Sequence, residues 1–348
     1  MRAGSTMRHS PASARAPADA AASMMAGALA HLHPGDRPLI VDEPAGLLVD
    51  TLAAQGVAAS VWLRRAGGSE AAQAWPAAGP FTSALVRLPK AKDALDFALH
   101  MVASVVPAGA EIMVFGANDE GIRSAASHLE AVAEDVATVD ARRHCRVLVG
   151  RRRAAIDGHK TSLSDWRREN EIAIAGGTRR WVSYPGLFAG GGLDEGTALL
   201  LDHLPELADT ARVLDFGCGT GIIGTGVRVK APRARIDLLD ADAIALEAAR
   251  ENVLDARLVL GDGLAAAGTM RYHAILSNPP LHDGVAEDRG PLERLISEAP
   301  KHLVAGGVLQ IVVQRRIKAI ELVQTAFGNV EMVAENARFR VLRARRDR

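Results

Sequence analysis

The chain has 348 residues, of which 48% are hydrophobic and 24% charged, and its formal net charge is zero. That length holds two globular domains, each with a core of its own, and the charge balance excludes a global electrostatic pull towards nucleic acid or anionic membrane, leaving a local patch for any RNA contact. Two cysteines, Cys145 and Cys218, exclude a disulfide framework and show no zinc spacing; they fit a reducing cytoplasm, and no apolar run has the length of a membrane span.

Residues 1–18, rich in Ala, Arg, Ser and Pro, read as a disordered tail, because the apolar stretch after them is too weak for a signal peptide. Residues 19–157 form a first α/β domain, with strands at 38–41, 58–63, 83–88 and 111–115 and helices at 90–106 and 120–132. The turn after the first strand, Asp42-Glu43-Pro44-Ala45-Gly46, has no glycine cluster, and Pro89-Lys90 follows the strand at 83–88. A duplicated domain that lost its cofactor site accounts for this most simply, and an unrelated α/β domain is the alternative. From Arg142 to Arg180 eleven arginines and lysines face four acids, with Trp166 and Trp181 interleaved. The stretch reads as a basic linker. Arg151, Arg152, Arg153, Arg167, Arg168, Arg179 and Arg180 are expected to meet RNA phosphates, against the blander reading of a solvated charged face.

Residues 158–348 form the second domain, with strands at 212–216, 235–239, 257–260, 273–277 and 308–313 and helices at 221–230, 244–252, 292–303 and 317–327. Such alternation predicts a mostly parallel sheet covered on both faces. A terminal antiparallel hairpin, 330–334 with 339–342, adds to it.

The chemistry lies in the second domain. Asp215-Phe216-Gly217-Cys218-Gly219-Thr220-Gly221 runs from a strand through a glycine turn into a helix, so backbone and free N–H groups can approach a ligand closely. Gly219, Gly221 and Gly224 also match a dinucleotide pattern, but an acid at Asp215 suits a cationic amine and repels a pyrophosphate. Asp240, ending the next strand, can accept from both ribose hydroxyls. Its rival Asp242 can equally cap the following helix. Asp262 can accept from an adenine amino group, or serve only as a turn residue. The most specific segment is Ser277-Asn278-Pro279-Pro280-Leu281-His282-Asp283. Paired prolines after a buried strand fix φ and remove donors. The Asn278 amide oxygen and the Pro279 carbonyl can then accept both hydrogens of a planar exocyclic NH₂ and aim its lone pair at an incoming methyl group.

These segments resemble the bacterial ribosomal RNA guanine-N2 methyltransferases of the RsmC/RlmG type. Ser277-Asn278-Pro279-Pro280 and His282-Asp283-Gly284 stand as in that family. Pro185-Gly186-Leu187-Phe188 with Leu193-Asp194-Glu195-Gly196-Thr197 is similar to its segment that closes over the cofactor. In the first half, Leu88-Pro89-Lys90 and residues 115–124 are similar to the family's non-catalytic domain. The resemblance implies two tandem Rossmann-like methyltransferase domains, the first degenerate and helping to hold RNA, and methyl transfer from S-adenosylmethionine to a guanine N2 in ribosomal RNA, the small subunit favoured. It implies cofactor contacts at Asp215, Gly217, Gly219, Gly221, Asp240, Asp262, Asn278, Phe188 and Thr197, and catalysis by Asn278, Pro279 and Pro280. Substrate contacts are expected at Leu281, His282, Arg167, Arg168, Arg179 and Arg180. Leu281 departs from the family, which has an aromatic there for stacking on a flipped base, and so does Gln314-Arg315-Arg316. The expected partner is ribosomal RNA or an assembling subunit, with no metal and no membrane, for a monomeric cytoplasmic enzyme. A methyltransferase for a protein glutamine or a small molecule, an RNA-binding assembly factor and a nicotinamide-dependent oxidoreductase are the alternatives. The second half is expected to bind the cofactor without help from the first.

Overall fold

The computed structural model describes residues 32–43, 46–68, 70–279 and 290–347. The expected tail at 1–18 and the residues Pro280, Leu281 and His282 lie outside them. The first domain carries strands β1 (Pro38–Val41), β2 (Ser60–Trp62), β3 (Ser83–Arg87), β4 (Glu111–Ala117), β5 (Ala133–Arg142) and β6 (Cys145–Arg152), with helices α1 (Leu47–Ala54), α2 (Lys92–Val105) and α3 (Ala125–Leu129). Next in the chain is a hairpin of β7 (Arg168–Ile174) and β8 (Gly177–Ser183). The second domain has helices α4 (Glu195–Asp202), α5 (Ile222–Lys230), α6 (Ala243–Asn252), α7 (Gly290–His302) and α8 (Ala319–Phe327). Its strands are β9 (Arg212–Phe216), β10 (Arg235–Asp240), β11 (Arg257–Leu260), β12 (Tyr272–Ser277), β13 (Leu303–Gln314), β14 (Glu331–Glu335) and β15 (Phe339–Arg345).

The two sheets share one plan. The second runs β11-β10-β9-β12-β13-β15-β14, parallel up to β13 and antiparallel through the terminal hairpin. The first runs β2-β1-β3-β4-β6-β5, the same order without the edge strand, and again ends in an antiparallel pair. Their registers align Val41 with Phe216, Trp62 with Leu239 and Val86 with Ser277. Even the first turn repeats a hydrogen bond: Asp42 N donates to Trp62 O as Gly217 N donates to Leu239 O. The duplicated plan therefore survives where the chemistry does not. Asp42 stands for Gly217, buried Leu63 for Asp240 and Arg87 for Asn278. Arg87 is occupied by an ion pair with Glu120.

The expected linker is a correction. Residues 133–152 are the β5–β6 hairpin and 168–183 the β7–β8 hairpin. Strand β5 escapes periodicity because most of its side chains are exposed, and Asp135 interrupts it with φ 55°. The helix expected at 120–132 is a single turn of 3₁₀ helix followed by short α3, because Gly121 enters it in the left-handed region with φ 90°.

The domains are docked through apolar side chains. Trp166 joins the first core through edge contacts with Phe97 and His100. Ile244, Ala245 and Ala248 of α6 belong to that same core. Trp181 instead packs with Ile174 and Ile222 beneath the second domain. Neither tryptophan offers a face for stacking on RNA, since both are buried.

Candidate active site

A doubly wound sheet opens a crevice at the carboxyl ends of its strands where the chain reverses direction across the sheet. Here that point lies between β9 and β12, which are neighbours. Ser277 Oγ donates to Phe216 O at 2.7 Å and so ties the two strand ends together. A cleft of about 990 Å³ opens above them, lined by the turn after β9, the ends of β10 and β11, and Asn278 and Pro279.

The glycine turn is shaped by backbone that side chains resist. Gly217, Gly219 and Gly221 have φ of 66°, 53° and 89°. A Cβ on Gly221 would fall 2.6 Å from Val253 Cγ2. One on Gly219 would meet nothing within 4 Å and would project into open space, as a cradle for a ligand requires. Asp240 locks the turn: Oδ2 accepts from Gly219 N at 2.7 Å and Oδ1 from Asp242 N at 2.8 Å. Burial and then the nearby Asp242 raise its carboxyl above the ordinary value.

Asp215 is placed differently from the expectation. Its side chain is fully buried beneath the turn and is absent from the cleft lining, with Oδ2 accepting from Gly224 N at 2.9 Å. Beneath the turn it anchors the first turn of α5 through Gly224. Burial lifts its pKa to about 7, and Oδ1 has no hydrogen-bond partner.

Asp242 caps α6, accepting from Ile244 N at 3.0 Å. It also receives the Arg64 guanidinium at 2.9 Å from both its oxygens. Both acids line the cleft, but Asp242 is 2% exposed and taken up by Arg64 and the helix cap. Asp262 lines the cleft too and pairs with Arg294 at 3.4 Å.

Asn278 is oriented by a residue that sequence reasoning passed over. Its Nδ2 donates to Thr197 Oγ1 at 2.9 Å and lies 3.2 Å from Asp194 Oδ2. Asp194 is the N-cap of α4, accepting from Gly196 N and Thr197 N. Its position before Glu-Gly-Thr is a capping signal that was legible. With both amide hydrogens directed at this pair, Oδ1 is left as the acceptor. Thr197, expected at the cofactor, is buried and holds Asn278. Phe188 is 73% exposed at the cleft, on a loop in which Ala189 and Gly190 adopt positive φ. Trp181 ties that loop down, its Nε1 donating to Gly191 O at 2.9 Å and contacting Thr220 Oγ1 at 3.2 Å.

The basic side chains are largely engaged within the fold. Arg151 pairs with Asp135, Arg153 with Glu134, and Arg152 donates to the carbonyls of Ala103 and Arg153. Arg167 forms a bidentate contact with Glu251 and also meets Glu169, and Arg168 meets Asp93. Arg180 pairs with Glu169, and Arg179 is exposed on the same hairpin.

The cleft suits a cationic cofactor. Asp194, Glu195, Asp240, Asp242, Asp262 and Glu298 line it against Arg65, Arg294 and Arg338 among the described residues. A sulfonium is favoured there and a pyrophosphate is not. No group of three or more His, Cys, Asp or Glu set to hold a metal occurs among the described residues. No helix among them is long and apolar enough to cross a membrane.

Comparison with known proteins agrees. Residues 179–343 match the methyltransferase small domain, and residues 59–170 match the N-terminal domain of that group. Ribosomal RNA small subunit methyltransferase C of Pseudomonas fluorescens is 36% identical over 316 residues, covering 87% of this chain and 93% of the relative. The protein of that name from Stutzerimonas stutzeri is 35% identical, covering 86% and 93%. Among solved structures, the T. thermophilus 16S rRNA N2 G1207 methyltransferase (RsmC), in complex with AdoMet and guanosine, superposes with a TM-score of 0.82 at 21% identity. The match spans 96% of this chain and 92% of that one, and shows that the two-domain fold is shared. On the strength of the curated relatives, the chain belongs to the ribosomal RNA small subunit methyltransferase C family.

Proposed function

We propose that this chain transfers the methyl group of S-adenosylmethionine to the exocyclic N2 amine of a guanine in small-subunit ribosomal RNA. The observation that carries this reading is the fixed Asn278 amide. Thr197 and Asp194 hold its NH₂, so its carbonyl oxygen stands as an acceptor beside Pro279 at the end of β12. Bound S-adenosylmethionine supplies an electrophilic methyl on a sulfonium that leaves as a neutral thioether. Asn278 Oδ1 and the Pro279 carbonyl accept the two hydrogens of the target amine and direct its lone pair. As the nitrogen gains positive charge its hydrogens become more acidic and the two contacts strengthen, which is where catalysis is gained. The proton then leaves to solvent, and no strong base is required.

Gly217, Gly219 and Asp240 would hold the cofactor, with Asp262 at its adenine end. Arg179, Arg180 and Arg168, on the hairpin next to the cleft domain, would meet RNA phosphates. Phe188, exposed at the cleft, would meet the cofactor, and Leu281 and His282, outside the described residues, are the proposed substrate contacts. The proposed setting is cytoplasmic, with a monomer acting on ribosomal RNA or an assembling subunit. Deleting the gene and mapping base methylation across ribosomal RNA tests the reading: a missing N2-methylguanosine in the small subunit supports it, and an unchanged map refutes it.

A further inference from the structure

The cleft is not built from the second domain alone. Past β2 the chain leaves the first domain and runs beside the end of β10. Arg65 forms an antiparallel bridge with Asp242. Ala66 N donates to Ala241 O at 2.8 Å, and Ala243 N to Arg64 O at 3.0 Å. The Arg64 guanidinium, buried, is held by both oxygens of Asp242 and donates to Pro185 O at 3.0 Å. This latch holds the next four residues against the second domain. Arg65, Ala66, Gly67 and Gly68 line the cleft together with Asp240 and Asp262. Gly67, at φ 105°, lies so close that an added Cβ would sit 3.2 Å from Asp262 Oδ2.

The two arginines of the segment differ sharply. Arg64 is buried and ion-paired with Asp242 at 2.9 Å, whereas the Arg65 side chain is 57% exposed and makes one long contact, 3.3 Å to Asp242 Oδ2. A guanidinium held loosely at a cleft wall can turn its flat face onto a planar ring. The two glycines beside it present no side chain to keep a ligand away. These features stand at the ends of β10 and β11, remote along the sheet from Asn278 at the end of β12. A ligand with its reactive end at Asn278 and its body across the glycine turn brings its far end here.

We propose that residues 65–68 of the amino-terminal domain are part of the cofactor site and cover its adenosine end, so that the half of the chain without a glycine turn completes the site of the other half. The proposal rests on the reading of the cleft as a site for S-adenosylmethionine. It departs from the expectation that the second half binds cofactor unaided.

The test uses the full chain. S-adenosylhomocysteine and 5′-methylthioadenosine, which share the adenosine but not the amino-acid end, are titrated by calorimetry into wild type, Arg65→Ala, Gly67→Ala and Asp240→Ala. Thermal denaturation without ligand is run on the same samples. Arg65→Ala is expected to weaken both ligands about tenfold, as removing a cation–ring interaction and its cover would, while the ligand-free melting temperature stays near wild type. Gly67→Ala, strained and pressed against Asp262, should weaken both as well. If both variants bind like wild type while Asp240→Ala loses binding, the cleft is a cofactor site and the first domain takes no part, which overturns the proposal alone. If Arg65→Ala lowers the melting temperature without changing affinity, the segment only supports the fold and the proposal fails. If wild type binds neither ligand, the cofactor reading itself falls.

Discussion

Thr197 and Asn278 meet at 2.9 Å, the threonine hydroxyl accepting from the amide while it donates to Asp194. The chain of donors has one direction. Asp194 accepts only, Thr197 must donate to it, and Asn278 must therefore offer its NH₂ to Thr197 and its carbonyl oxygen to the cleft. A helix cap 84 residues upstream thus sets the polarity of the amide proposed to hold the substrate amine.

Removing that oxygen is the first prediction. Asn278→Ala should lower single-turnover methyl transfer by two or more orders of magnitude, since a preorganised catalytic hydrogen bond contributes on the order of 3 kcal/mol. Cofactor affinity should change little. Asn278→Asp should also be poor, because it keeps an acceptor but adds a charge and loses the donor to Thr197. A fully active Asn278→Ala of normal stability would remove the mechanism.

Thr197→Val keeps shape and deletes the hydroxyl. The Asn278 amide then loses its orienting acceptor, and turnover should fall about tenfold, the scale of one neutral hydrogen bond. KM for RNA should move less than kcat. An equal fall in thermal stability with unchanged turnover would mean that Thr197 serves only the helix.

Asp215 gives a pH prediction. Its folded pKa of about 7 lies above its ordinary value of 3.8, so its contribution to stability is fully present below about pH 4 and is lost as pH rises through 7. The neutral amide of Asp215→Asn escapes that loss. The melting temperature of ligand-free Asp215→Asn should therefore gain on wild type between pH 5 and pH 8. A difference that stays flat, or shrinks with pH, would contradict the burial argument.

Arg64→Met leaves Asp242 nearly buried, with only the looser Arg65 as a counter-ion. Breaking one side of a buried pair costs about 3 kcal/mol or more, so thermal and urea midpoints should both drop clearly. Adding Asp242→Asn removes the unpaired charge and keeps an oxygen to cap α6, so the double variant should recover most of the loss.

Arginines in the basic segment should separate into two groups. Arg179→Gln and Arg180→Gln should weaken RNA binding and make its salt dependence shallower by about one unit of slope for each phosphate no longer neutralised. Arg167→Gln should instead lower stability, because that side chain joins β7 to Glu251 of α6. Filter binding across a salt series, with melting curves on the same variants, distinguishes the two. Unchanged RNA affinity for Arg179→Gln and Arg180→Gln would leave the hairpin with a structural role.

What was legible in the sequence was local. The glycine turn, Asp240 at a strand end and Asn278 before two prolines are each written within a few residues, because strand–turn–helix geometry is dictated at that range. The β5–β6 hairpin was not legible, since most side chains of β5 are exposed and those of β6 are buried in a run, so neither strand alternates. Nor was the partnership of Arg64 with Asp242, 178 residues apart, which only folding brings together. Nor is the burial of Asp215 legible: the one-residue pleat that points Phe216 to the cleft lining turns Asp215 beneath it.

The most direct measurement supplies purified chain with labelled S-adenosylmethionine and small ribosomal subunits, or their naked RNA, from cells lacking the gene, and identifies the labelled nucleoside by mass spectrometry. The account predicts label in N2-methylguanosine from small-subunit RNA, absent with Asn278→Ala and absent from large-subunit RNA. Label on another base or another guanine atom, or no transfer to ribosomal RNA in either form, would contradict it.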